Sequence, residues 1–214
     1  MKTTSAQHLN HLIERYPALS ECKSDILSAF EILKDGYCHK HKLLVCGNGG
    51  SASDAEHIVG ELMKGFVLTR KMPEDITEKL INIDPELGTD LALQLQGTLP
   101  AIALDGHIAL TTAYMNDCNP ALCFAQQVNG YGENGDVLLG ISTSGNSKNV
   151  LYAAVTAKSK NMKVIGLTGS KQNKLESIAD ICIKVPETET FKVQELHLPV
   201  YHCLCLMLES EFFE

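Results

Sequence analysis

Tryptophan is absent from this chain of 214 residues, and aromatic residues make up only 6%. A core built from it must be aliphatic. Basic charge is also short, with 18 Lys+Arg against 26 Asp+Glu and a net charge of −8. That argues against a nucleic-acid partner, because neutralising a phosphate backbone needs a basic face. One small phosphorylated ligand is still allowed, since backbone N–H groups hold a phosphate without net positive charge. No apolar run reaches the length of a membrane span, and the most apolar stretch, Leu198–Leu208, contains His202. No membrane partner is expected. Met1–Gln7 has no apolar stretch of the signal-peptide kind, so the expected location is cytoplasmic. The chain also lacks any C-x-x-C pair. Its eight cysteines, Cys22, Cys38, Cys46, Cys118, Cys123, Cys182, Cys203 and Cys205, mostly sit in apolar runs such as Leu44-Val45-Cys46. Reduced thiols acting as small core hydrophobes are expected.

With 44% hydrophobic and 21% charged residues, the chain has an ordinary globular composition. Its length suits one domain over residues 1–214. Ala6–Lys34 carries apolar residues at helical spacing with a break near Pro17, which gives an N-terminal helical segment over residues 1–36. Short apolar runs then read as strands at Lys42–Cys46, Pro100–Leu104, Asp136–Ile141, Lys163–Leu167 and Ile181–Val185. Helical spacing falls between them at Ser51–Phe66, His107–Met115, Pro120–Val128 and Lys148–Lys160. A short helix is expected around Leu175–Ala179, and a closing helix over Lys192–Phe213, where Pro199 is a possible kink. Alternating strands and helices predict an α/β domain with a parallel sheet covered on both faces. Residues 67–99 depart from the alternation. They are polar and acidic, yet Leu80, Ile83, Leu87, Leu91 and Leu95 keep helical spacing, which predicts an insertion of two short helices packed outside, or a lid over a site.

Two loops and one spacing carry chemistry. Gly47-Asn48-Gly49-Gly50-Ser51-Ala52 follows a strand and opens a helix. Its glycines permit a tight turn, and the free N–H groups of the helix start can bind an anion. The string also satisfies G-x-G-x-x-A, but no acidic residue closes an immediately following strand, so a dinucleotide is disfavoured. A sharp turn with Ser51 as cap is the structural reading. Ile141-Ser142-Thr143-Ser144-Gly145-Asn146-Ser147 lies at a strand's carboxyl end, where parallel sheets bind ligands; it suits a phosphate dianion or an ordinary capped turn. His57 and Glu61 stand i and i+4 on one helix face, and Gln194 and His202 are eight apart in the closing helix. Two imidazoles, a carboxylate and an amide could hold a divalent ion of zinc type, although spacing alone does not bring the two helices together.

Taken together these strings resemble the sugar isomerase (SIS) domain family, and within it the phosphoheptose isomerases. The resemblance rests on Gly47–His57 with Glu61, Leu99–Leu104, Asn116-Asp117, Gly140–Ser147, Val164–Gly169, and Gln194-Glu195 with His202. It implies a flavodoxin-like three-layer sandwich on a five-stranded parallel sheet, assembled as a homotetramer with sites between subunits. It implies phosphate and substrate binding at Asn48, Ser51, Asn116, Asp117, Ser142, Thr143, Ser144, Ser147 and Gln194. It implies a divalent metal, zinc by preference, at His57, Glu61, Gln194 and His202, with Glu61 as base and His202 as acid. The implied reaction is aldose–ketose isomerisation of a sugar phosphate, sedoheptulose 7-phosphate to D-glycero-D-manno-heptose 7-phosphate, for surface-glycan heptose. A non-catalytic SIS module that senses a sugar phosphate or binds a protein partner, as in some regulators of replication initiation, is the other reading. The four metal-type residues favour the enzyme. Three positions depart from the family pattern: Gly65 replaces an arginine, Phe191 replaces an aspartate, and His107 aligns with an acidic position near Asp105.

Overall fold

A computed structural model describes residues 1–214. Five strands form one all-parallel sheet: β1 (Leu43–Cys46), β2 (Ala101–Ala103), β3 (Val137–Ile141), β4 (Lys163–Gly169) and β5 (Ile181–Val185). Their order is β2-β1-β3-β4-β5. Side chains alternate across the sheet and feed two cores. Leu43 and Val45 of β1 face a cluster with Phe30, Leu62 and Leu204, while Leu44 and Cys46 face one with Phe124, Ala153 and Met162. Burial on both faces explains why each strand reads as a continuous apolar run. The expected three-layer α/β architecture is the one observed.

Nine α-helices accompany the sheet. On the first face lie α1 (Thr3–Arg15), α2 (Lys23–Cys38), α3 (Gly50–Met63) and α9 (Thr190–Phe213). A short 3-10 segment, Pro17–Cys22, joins α1 to α2 at the predicted break. The second face holds α7 (Cys123–Tyr131) and α8 (Lys148–Ser159), with α6 (Ile108–Asp117) following β2. One expected helix is not there: Lys174–Ile178 forms consecutive turns, with Ile178 and Ala179 donating to the Leu175 carbonyl. The segment has only a few residues before β5, too few to propagate a helix past its costly nucleus. Pro199 is absorbed inside α9 without ending it.

Between α3 and β2 come α4 (Glu74–Ile83) and α5 (Pro85–Gln94), a helical pair on the outside of the domain. No residue of α4 is buried, and only Gly88 of α5 is. The Asp84 carboxylate caps α5 by accepting from the backbone N–H groups of Glu86 and Leu87. A buried ion pair ties the root of this insertion to the core. Arg70 Nε donates to Glu209 at 2.8 Å, and both side chains are fully buried. Glu209 also accepts from the N–H groups of Phe66, Val67 and Leu68. Arg70 in turn donates to the carbonyls of Leu62 and Glu61 in the last turn of α3. Burial alone would raise the Glu209 carboxyl, but those N–H groups and the guanidinium outweigh it and hold it below its ordinary range.

Candidate active site

The strand order reverses at β1, since β2 pairs on one side of it and β3 on the other. Ligands of open α/β sheets bind at the carboxyl ends of strands beside such a switch. The loops after β1 and β3 are the glycine-rich and serine-rich strings. Gly49 caps α3 with φ +58°, a conformation that favours glycine. Ser51 is therefore not the cap; it sits buried inside the first turn of α3. In the second loop Ser142 and Ser147 hydroxyls meet at 2.9 Å, and Ser144 Oγ accepts from the Asn146 N–H. Gly145 has φ +63°, and a Cβ there would come within 2.2 Å of Asn173. Two reciprocal amide bonds, at 3.0 and 2.7 Å, lock Asn48 of the first loop to Asn149 at the start of α8. Asn149 was not among the expected site residues. A polar cavity of about 260 Å³ beside the serine loop is lined by Thr143, Ser144, Asn146 and Lys171.

Helices α3 and α9 run in the same direction, with Gln194 beside Gly50 and Tyr201 and His202 beside His57. This parallel pairing supplies what spacing could not show. His57 Nε2 lies 3.2 Å from Glu61 Oε1, and the His57 and His202 rings meet edge to face at 4.9 Å between centroids. Glu61 is buried, and its second oxygen accepts from Lys64 Nζ at 2.8 Å. The Nε2 atom of His202 is buried with no hydrogen-bond partner. Burial first, and then the neighbouring His57, lower the His202 pKa, while Glu61 opposes them. An unpartnered imidazole nitrogen beside a second imidazole and a carboxylate is the donor chemistry a zinc-type ion takes. The three side chains are neighbours, but they do not converge into a group that could hold a metal ion. Gln194 is placed differently: its amide lies against Gly50, at the glycine-loop end of α3. Of the four expected ligands, His57, Glu61 and His202 are thus neighbours, and Gln194 lies at the other end of α3.

A larger cavity of about 630 Å³ opens between α1 and α9 onto His202, with His8, His11 and Arg15 on its other wall. Asn116 and Asp117 lie exposed at the end of α6, where the Asn116 amide donates to Asp117; neither bonds to the two loops.

A family model for the SIS domain matches residues 85–169. A phosphoheptose isomerase of Nitratiruptor sp. is 36% identical over 192 residues, covering 90% of this chain and 89% of that protein. One of Helicobacter pylori is 39% identical over 171 residues, covering 80% and 76%. The chain belongs to the phosphoheptose isomerase family. Among solved structures, the phosphoheptose isomerase of Neisseria gonorrhoeae superposes with a TM-score of 0.72 at 31% identity over 96% of each chain. For a phosphoheptose isomerase, the departure at Gly65 has a local cause here. A Cβ at Gly65 would lie 2.5 Å from the Leu68 carbonyl oxygen, because Glu209 bends the chain at residues 66–68. Lys64, one residue earlier, supplies the cation next to Glu61. Phe191 is exposed under the Lys192 ammonium. His107 stacks near Tyr131 with a buried, unpartnered Nε2. Beside it, burial pushes the Asp105 carboxyl up to about 6.

Proposed function

We propose that this chain interconverts sedoheptulose 7-phosphate and D-glycero-D-manno-heptose 7-phosphate, as a cytoplasmic homotetramer holding a divalent ion of zinc type. The observation that carries the reading is the buried Glu61 carboxylate, flanked by His57, Lys64 and the neighbouring His202, on a helix whose other end carries the glycine loop.

Aldose–ketose exchange shifts a proton between adjacent carbons through an enediol, and it needs a base, an acid and a partner for the developing oxyanion. The serine loop, the start of α3 and Lys171 receive the phosphate. Glu61 takes the carbon-bound proton and returns it one carbon along. His202 exchanges the hydroxyl proton. Lys64 Nζ pairs with one oxygen of the Glu61 carboxylate at 2.8 Å. The other oxygen faces His57, so one carboxylate can serve a metal through Oε1 and a proton through Oε2. His57, Glu61 and His202 would hold the ion, which when bound polarises the substrate carbonyl. Support for assembly comes from large apolar side chains left on the surface of one chain, such as Ile83 at 82%, Leu93 at 80% and Ile108 at 75% exposure.

Metal analysis of the purified protein, with an isomerase assay across several ketose phosphates, tests the reading. A bound divalent metal and turnover of sedoheptulose 7-phosphate are expected. A folded protein that turns over none of them would refute it.

A further inference from the structure

The imidazole of His202, the acid of the proposed reaction, has a buried Nε2 with no hydrogen-bond partner. Packing, rather than a hydrogen bond at that atom, therefore sets where the ring lies. His57 meets it edge to face. Phe66 covers it from another side, with 5.5 Å between ring centroids and 53° between the planes, a separation at which aromatic rings pack favourably. Phe66 follows the end of α3 and is half-buried against the first core.

The backbone under Phe66 is fixed by an ion pair that the reaction itself does not use. Glu209 lies about two turns beyond His202 on α9. Its Oε1 accepts from the Phe66 N–H at 2.7 Å, and its Oε2 from the N–H groups of Val67 and Leu68 at 2.9 and 3.2 Å. The same carboxylate accepts from Arg70 Nε at 2.8 Å, with both side chains fully buried. Arg70 then donates through its terminal nitrogens to the Glu61 and Leu62 carbonyls, at 2.8 and 2.7 Å. One buried pair thus holds the main chain of Glu61 and seats the ring of Phe66 on His202. Reacting groups need such support, since a misplacement of about 1 Å can cost about 100-fold in rate.

We propose that Phe66 is a positioning residue for the reaction: seated by Glu209 and Arg70, its ring fixes the His202 imidazole relative to Glu61. The inference rests on the reading of Glu61 as base and His202 as acid given above.

Steady-state kinetics and chemical labelling of the full chain test it. Phe66→Leu keeps an apolar side chain and removes the ring. Its kcat for sedoheptulose 7-phosphate should fall about 10- to 100-fold, with KM and the affinity for inorganic phosphate within about twofold. Phe66→Tyr restores the ring and should keep kcat within about threefold of wild type. A merely structural role would instead lower the melting temperature and leave kcat per folded molecule unchanged. Labelling with diethyl pyrocarbonate, read by peptide mass spectrometry, should modify His202 about fivefold faster in Phe66→Leu than in wild type. Phe66→Met gives the same readouts should the leucine variant not fold. A ringless variant with kcat within about threefold of wild type overturns the inference, as does an unchanged rate of His202 labelling in an active protein. Wild type that turns over no ketose phosphate refutes the enzyme reading itself, and the inference falls with it.

Discussion

The two ends of the α3–α9 pair are built in different ways. At the loop end, chemistry comes from main chain and short hydroxyl side chains: Gly49 and Gly145 in left-handed conformations, Ser142 against Ser147, and the Asn48–Asn149 bridge. At the far end it comes from long side chains that two helices bring together across more than a hundred residues. The first kind of site is local, because a loop sets its own N–H groups. The second exists only if the helices lie parallel and in register. A loop end can be damaged by one backbone atom, whereas the helix end fails when its supports shift.

Separating the two ends should produce the largest effect. Glu61→Gln should lower turnover about 1,000-fold, within the range for a lost acid–base group, while phosphate-ligand affinity measured by calorimetry stays within twofold. Parallel loss of both would break the comparison. Removing the support should come next. Arg70→Met leaves Glu209 buried without its cation, and loss of one partner of such a pair costs about 3–5 kcal/mol, read by urea denaturation. The same variant frees the Glu61 and Leu62 carbonyls, so metal affinity should fall with stability. Between the ends on α9, fully buried His197 links the comparison to pH. Burial lowers its pKa from 6.5 to about 4. The unfolded chain then binds the extra proton between those values, so stability is full above pH 6.5 and falls as the pH drops toward 4, by about 2 kcal/mol at pH 5. His197→Leu should flatten that part of a pH series of melts. The smallest change is at the loop end. Asn149→Ala removes the bridge to Asn48 and should raise KM about threefold with kcat unchanged, as for one net hydrogen bond.

Most of the fold was readable along the chain. Apolar runs at Leu43–Cys46 and Val137–Ile141 mark strands covered on both faces, and the glycine and serine strings mark where the sheet's carboxyl edge lies. The short helix expected around Leu175–Ala179 is instead the turns at Lys174–Ile178, because a short apolar pattern does not reveal whether enough residues remain to propagate a helix. At the site, Ser142 and Ser147 were readable because they are neighbours in sequence. Tyr201, Asn149 and the Arg70–Glu209 pair were not, since each matters through a partner far away in the chain. Gln194, expected both as a metal ligand and as a substrate contact, lies beside Gly50 at the glycine-loop end of α3.

The sequence by itself determined the α/β alternation, the acidic balance of charge, the glycine- and serine-rich loops at the sheet's carboxyl edge and the family, because these depend on composition, local propensity, periodicity and contiguous motifs. Only the tertiary structure decided that α3 and α9 run parallel, that Glu61 is shared between His57 and Lys64, and that Tyr201 stands behind His57. Those relations depend on how two helices seat on one sheet face, and helix packing is set by the whole buried surface rather than by any single motif.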